Sequence, residues 1–268
     1  MEQNAALLQK IRLFVLDLDG TVSLGDRLLP GAAEMITRAR SLGRRILFFT
    51  NNTSRSPLEY VERLNRLGLA VTRADILTAG DVTVHYLRQH HPDARVFLLG
   101  VPALRESFAA GGIRLVEEDP DLVVAGFDKT LTYERLEKAC VFLRRGAGFL
   151  ATHPDINCPT EAEPIPDCGA ICAAITASTG RTPRCLGKPA AETVELVEAV
   201  SGLRRQNIAF VGDRLYTDVA CGINAGIDSI FVLSGEGVMG DIAKYRLNPT
   251  WVYEDIAQIY HILEENAS

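Results

Sequence analysis

Long apolar runs, basic tracts and cysteine pairs are all missing from this sequence, and each absence removes a class of function. No apolar stretch approaches the roughly 20 residues that cross a bilayer, so no membrane partner is expected. Met1 to Lys10 lacks a basic start followed by a long apolar core, so no secretory signal is expected either. The six cysteines (Cys140, Cys158, Cys168, Cys172, Cys185, Cys221) form no Cys-x-x-Cys pair, and no paired histidine motif follows them. That pattern argues for reduced thiols in a cytoplasm and against a disulfide framework or a zinc site. Net charge is −6 with no long basic run, which makes a nucleic-acid backbone a poor partner. An anionic substrate would therefore need local positive charge from a metal, a lysine or helix N-termini.

What is present is an alternation of strand-like and helix-like runs over 268 residues, 47% of them hydrophobic. Strands are predicted at Ile11–Leu16, Arg45–Thr50, Asn207–Val211 and Ser229–Leu233. Helices are predicted at Ala32–Leu42, Pro57–Leu67 (closed by Gly68), Ala190–Ser201 and Leu215–Ala225 (ended by Gly226). Such alternation implies an α/β fold with a doubly wound parallel sheet, which binds ligands outside the carboxyl ends of its strands. Asp17, Thr50, Asp213 and Ser234 all fall at predicted strand C-termini. Between them, strands near Arg95–Leu99, Leu122–Ala125 and Phe149–Thr152 alternate with helices at Val82–Gln89, Ala103–Ala110, Tyr133–Arg144 and Ala170–Thr179. This stretch reads as an inserted α/β domain, 81–184, within a core of 1–80 and 185–268; a single extended sheet is the alternative.

The most informative segment is Phe14-Val15-Leu16-Asp17-Leu18-Asp19-Gly20-Thr21. Two carboxylates at the mouth of an apolar strand repel each other, so a cation is expected between them, and with it a phosphoryl group. Asp17 is the candidate nucleophile and Asp19 the candidate acid/base. Phosphate-monoester hydrolysis needs accelerations up to ~10²¹, whereas one acid or base supplies ~10²–10⁴. A nucleophile, a metal and a held phosphate are all required. Thr50-Asn51-Asn52 offers a hydroxyl and turn amides for phosphoryl oxygens, although alone it reads as an ordinary turn. Lys188, in Gly187-Lys188-Pro189, could neutralise developing charge; alone it reads as a surface lysine, and Pro189 excludes a Walker loop. Asp213, in Val211-Gly212-Asp213-Arg214-Leu215-Tyr216-Thr217-Asp218, suits Mg²⁺, with Asp218 either supporting the site or capping a helix.

In this order the four motifs resemble the haloacid-dehalogenase superfamily of phosphohydrolases. DxDGT matches Asp17–Thr21, and GDxxxTD matches Gly212–Asp218. The short spacing of the first two motifs, the large insert, Thr-Asn-Asn, Gly-Lys-Pro and Val232-Leu233-Ser234-Gly235 are similar to the NagD / 4-nitrophenylphosphatase-like class IIA subfamily. The resemblance implies Asp17 as nucleophile, Asp19 as acid/base, and Mg²⁺ held by the carboxylates of Asp17 and Asp213 and the backbone carbonyl of Asp19. It implies phosphate contacts at Thr50, Asn51 and Lys188, and a cap that selects a small phosphorylated metabolite. Retention of Asp19 favours a phosphatase. A phosphotransferase or phosphomutase on the same core, or a non-catalytic phospho-ligand sensor, are the alternatives. A homodimer is compatible with the family. In the insert, the segment from Thr152-His153-Pro154-Asp155 to Pro166-Asp167-Cys168-Gly169 is the candidate specificity loop. There His153 reads equally as a substrate contact or a structural histidine, and Asp167 as a helix cap.

Overall fold

A parallel strand covered on both faces reads as a continuous apolar run, and Leu13–Leu16 (Leu-Phe-Val-Leu) is buried at every position. In the computed structural model of the protein, which describes residues 10–160 and 163–265, this strand lies inside a six-stranded sheet. The order is Trp251–Tyr253, Asp228–Val232, Ile208–Gly212, Leu13–Leu16, Arg45–Thr50, Ile76–Thr78. Leu13 pairs in parallel with Ile208 on one side and Arg45 on the other; Leu16 pairs with Val211 and Phe48. Parallel pairing brings the C-terminal ends of these three strands to one edge, where Asp17, Thr50 and Asp213 sit. Helix Ala32–Ser41 covers the sheet with buried Met35, Ile36 and Ala39 and packs against helix Ile256–Glu265.

The described chain groups into two compact units. The first contains the residues up to Thr50, Val61–Leu77 and those from Val194 on; the second contains Asn51–Tyr60 and Thr78–Thr193. The second unit has its own five-stranded parallel sheet, in the order Arg184–Cys185, Gly148–Ala151, Leu122–Ala125, Arg95–Leu99, Arg114–Leu115. Among the described residues the strands thus form two parallel sheets, of six and five strands, rather than one extended sheet, with two further two-stranded antiparallel sheets. Helices Ala79–His90, Pro102–Ala110, Tyr133–Arg144 and Cys168–Thr179 follow the strands. Thr78 and Asp81 form a reciprocal capping box on the first of these, and Thr132 caps the third.

Several expected bounds shift, and one expected helix changes in kind. Leu215–Ala225 is not one α-helix: Leu215–Val219 is a π-helical turn and only Ala220–Ala225 is α-helical. The widened turn shows in Val219 N–H reaching five residues back to the Arg214 carbonyl, and within it the Asp218 carboxylate accepts from the Arg214 N–H. The helix expected from Ala170 begins at Cys168, because the Asp167 carboxylate accepts from the Cys168 N–H.

The core of the second unit centres on Phe97, fully buried and edge-on to Phe142 at 5.1 Å between ring centroids. Phe97→Ala should cost about 3–5 kcal/mol in stability, read as a fall in the urea midpoint. A loss under about 1 kcal/mol would contradict this packing.

Candidate active site

At the C-terminal edge of the six-stranded sheet three carboxylates meet. One oxygen each from Asp17, Asp213 and Asp218 lies within 4.8 Å of the others. Asp17 follows Leu16 directly, and its N–H donates to the Val211 carbonyl at 2.9 Å, extending the ladder by one residue. Asp213 follows the neighbouring strand and is 1% exposed. The π-helical turn brings in Asp218, so its carboxylate joins the cluster and does more than cap a helix.

The chain supports Asp213 from several sides. The Glu236 N–H donates to its Oδ2 at 2.7 Å, and the Thr21 hydroxyl reaches its Oδ1 at 3.4 Å. The Gly237 N–H donates to its main-chain carbonyl at 3.1 Å. Such close approach needs glycine: a Cβ on Gly20 or Gly235 would collide with the Asp213 carboxylate, and Gly20 also has φ +96°. The Ser234 hydroxyl closes the edge by donating to the Gly20 carbonyl at 2.8 Å. Burial pushes the Asp213 carboxyl up to about 6, with the adjacent Asp218 charge adding to it, against the opposing Glu236 amide and Arg214. Crowded acids with only oxygen donors suit a hard cation such as Mg²⁺ and give zinc or copper no nitrogen or sulfur.

Asp19 lies two residues beyond Asp17 and receives Arg63 Nη2 on its Oδ1 at 3.0 Å. Arg63 went unnoticed in the sequence, where an arginine inside the amphipathic helix Pro57–Arg66 reads as solvated. Its burial between buried Tyr60 and Leu64 is visible only in three dimensions.

In the second unit, Asn51 and Lys188 form a reciprocal pair. Asn51 Nδ2 donates to the Lys188 carbonyl and the Lys188 N–H donates back to Asn51 Oδ1, both at 3.0 Å. Asn51 Nδ2 also reaches Asp155 Oδ2 at 3.0 Å. The Asn51 amide thus orders the Gly187-Lys188-Pro189 turn, in which the Lys188–Pro189 peptide is cis and Lys188 is 2% exposed. The surface-lysine alternative for Lys188 is therefore excluded.

His153 is fully buried. Its Nδ1 meets the Thr152 hydroxyl at 2.8 Å and its Nε2 meets Asp167 Oδ1 at 2.9 Å. The Thr152 hydroxyl in turn reaches Cys168 Sγ at 3.8 Å, and that thiol reaches the Ala125 carbonyl at 3.3 Å. With both ring nitrogens engaged and no exposed surface, His153 lies in the interior of the unit. Burial alone would lower its pKa, but Cys168, Asp167 and Asp155 outweigh burial and raise it to about 9. Burial pushes the Cys168 thiol well above its ordinary value, with His153 opposing it.

Comparison with known proteins agrees with this geometry. Residues 14–114 match a family model described as haloacid dehalogenase-like hydrolase, and residues 185–259 match one described as HAD-hydrolase-like. An acid sugar phosphatase of Staphylococcus epidermidis is 33% identical over 91% of this chain and 94% of its own length. The crystal structure of a 4-nitrophenylphosphatase from Thermotoga maritima is 46% identical, with a TM-score of 0.91, over 95% of this chain and 98% of that one. NagD from Escherichia coli K-12 is 29% identical, with a TM-score of 0.86, over 92% of this chain and 98% of that one.

Two predictions follow from the titrating groups. The folded pKa of His153 lies above its ordinary 6.5, so its charge stabilises fully below pH 6.5 and the contribution fades as pH rises towards 9. Wild type should exceed His153→Gln in urea unfolding at pH 6, and the gap should narrow by pH 9. A gap independent of pH would contradict the buried ion pair. For Asp213, protons and a cation compete. Mg²⁺ should raise Tm at pH 7.5, the gain should fade as pH falls through about 6, and Asp213→Asn should abolish it. An equal gain in Asp213→Asn would place the cation elsewhere.

Proposed function

The chain belongs to the haloacid dehalogenase-like hydrolases, among the NagD-like phosphatases, and on that premise we propose that it hydrolyses small phosphomonoesters through a phosphorylated Asp17. The observation that carries this reading is the meeting of Asp17 with Asp213 and Asp218 at the sheet edge. An Asp17 oxygen attacks phosphorus, the bond from phosphorus to the leaving oxygen breaks, and Asp19 gives that oxygen a proton. Asp19 then takes a proton from a water whose oxygen attacks the phosphorus, the bond from the Asp17 oxygen to phosphorus breaks, and inorganic phosphate leaves with the Asp17 carboxylate restored. Asp17, Asp213 and the Asp19 backbone carbonyl would hold Mg²⁺, with Asp218 supporting them. When bound, Mg²⁺ supplies positive charge that offsets the nucleophile's own charge and polarises the phosphoryl oxygens.

Thr50, Asn51 and Lys188 are proposed as the phosphate contacts from their motif positions. The Asn51 side chain is committed to Lys188 and Asp155, so its own contact would come from the main chain. The proposal gives the chemistry to 1–80 and 185–268 and the choice of leaving group to 81–184. Sugar phosphates are the preferred substrate class, supported by the acid sugar phosphatase relative. A cytoplasmic setting is supported by the cysteines, all six of which are free thiols.

Purified protein with Mg²⁺ should release inorganic phosphate from 4-nitrophenyl phosphate and from members of a sugar-phosphate panel, and EDTA should stop it. Asp17→Asn should fold normally and lose more than about 1,000-fold in kcat. Turnover near wild type in that variant would rule out the covalent route.

A further inference from the structure

We propose that Arg63 is a positioning residue for Asp19, fixing the carboxylate from which the acid/base proton moves. The proposal rests on the reading of Asp19 as acid/base given above. Arg63 is 3% exposed, and its guanidinium donates hydrogen bonds to Asp19, Ser23 and Gly25. Nη2 donates to Asp19 Oδ1 and to the Ser23 hydroxyl, both at 3.0 Å, and also to the Gly25 carbonyl. Nε donates to the same carbonyl at 3.1 Å. Ser23 and Gly25 belong to the small hairpin that pairs Ser23–Leu24 with Arg27–Leu28, and Asp19 itself bridges to Ser23. One planar fork thus ties the carboxylate to the hairpin.

A guanidinium this deep needs a counter-charge. Two carboxylates approach it: Asp26, at 3.8 Å with its side chain 83% exposed, and Asp19, at 3.0 Å with its side chain 27% exposed. The nearer and better covered one is the effective partner, because solvent screens the other. With Oδ1 held by Arg63, proton exchange falls to Oδ2. A free aspartate on a glycine-flanked turn would sample several rotamers, and small misplacement of a reacting group can cost ~10²-fold in rate. Lysine cannot reproduce the fork, since an ammonium lacks the rigid planar array that serves several acceptors together.

An arginine that only staples the hairpin would give the same contacts, so the test must report on Asp19. Wild type, Arg63→Met, Asp19→Asn, the double variant and Arg63→Lys are compared by kcat and KM on 4-nitrophenyl phosphate with Mg²⁺, after circular dichroism confirms folding. Asp19→Asn should lose ~10²–10⁴-fold in kcat. Arg63→Met should lose ~10–10²-fold in kcat with little change in KM, and Arg63→Lys should recover part of that loss. In the Asp19→Asn background, Arg63→Met should cost under ~3-fold more, because the residue it serves is already gone. An equal Arg63→Met loss in both backgrounds would overturn the proposal. Normal turnover in Asp19→Asn would overturn the acid/base reading itself, a result distinct from additivity. If Arg63→Met does not fold, Arg63→Lys carries the same cycle: its loss should be present with Asp19 intact and vanish in the Asp19→Asn background.

Discussion

Like charges do not gather without a reason, and the repulsion among Asp17, Asp213 and Asp218 is the constraint on which this molecule is organised. Two unit charges within 4.8 Å repel by on the order of 3 kcal/mol at the effective dielectric of a protein surface. The chain does not relieve that repulsion by turning the acids outward. It holds them in place with the amides of Glu236 and Arg214, with Thr21, and with glycines where a side chain would collide with Asp213. Such crowding suits a divalent cation, which would offset the repulsion. Burial first, and the neighbouring Asp218 charge after it, raise the Asp213 pKa.

The parallel sheet makes the crowding possible. Three strands paired in one direction must release their chains at one edge, so residues almost 200 positions apart in sequence become neighbours without special connections. The apolar strand interiors, Leu13–Leu16 and Ile208–Gly212, fix the register, and the register fixes where the acids emerge. The π-helical turn after Asp213 then swings Asp218 towards the other two, at the expense of regular helix geometry.

Much of this was legible in the sequence, for physical reasons. Strands buried on both faces are continuous apolar runs, so Arg45–Thr50, Arg95–Leu99 and Leu122–Ala125 stand at their expected bounds. Aspartates directly after such runs marked the sheet edge. Strands of two or three residues, such as Arg114–Leu115, Arg184–Cys185 and Trp251–Tyr253, are too short to carry a period and went unseen. The π-helical turn was invisible because its apolar spacing matches an α-helix; the Val219 N–H bond to the Arg214 carbonyl, five residues back, distinguishes it. Arg63 was missed because sequence gives the composition of a helix face but not what packs over it. His153 was ambiguous because a buried histidine and a substrate-binding histidine have the same letter and differ only in whether both ring nitrogens find protein partners.

The family fixes the class of reaction, and the identity of the leaving group rests on chemistry beyond the carboxylate edge. The proposal to test concerns that edge alone: a divalent cation would sit where Asp17 and Asp213 meet, beside the oxygen proposed to attack phosphorus. Crystals grown with Mn²⁺ in place of Mg²⁺ would test it by anomalous scattering. The account predicts a single strong peak within coordination distance of the Asp17 and Asp213 carboxylates. Crystals of Mn²⁺-activated enzyme with no peak there, or with the peak elsewhere, would contradict it.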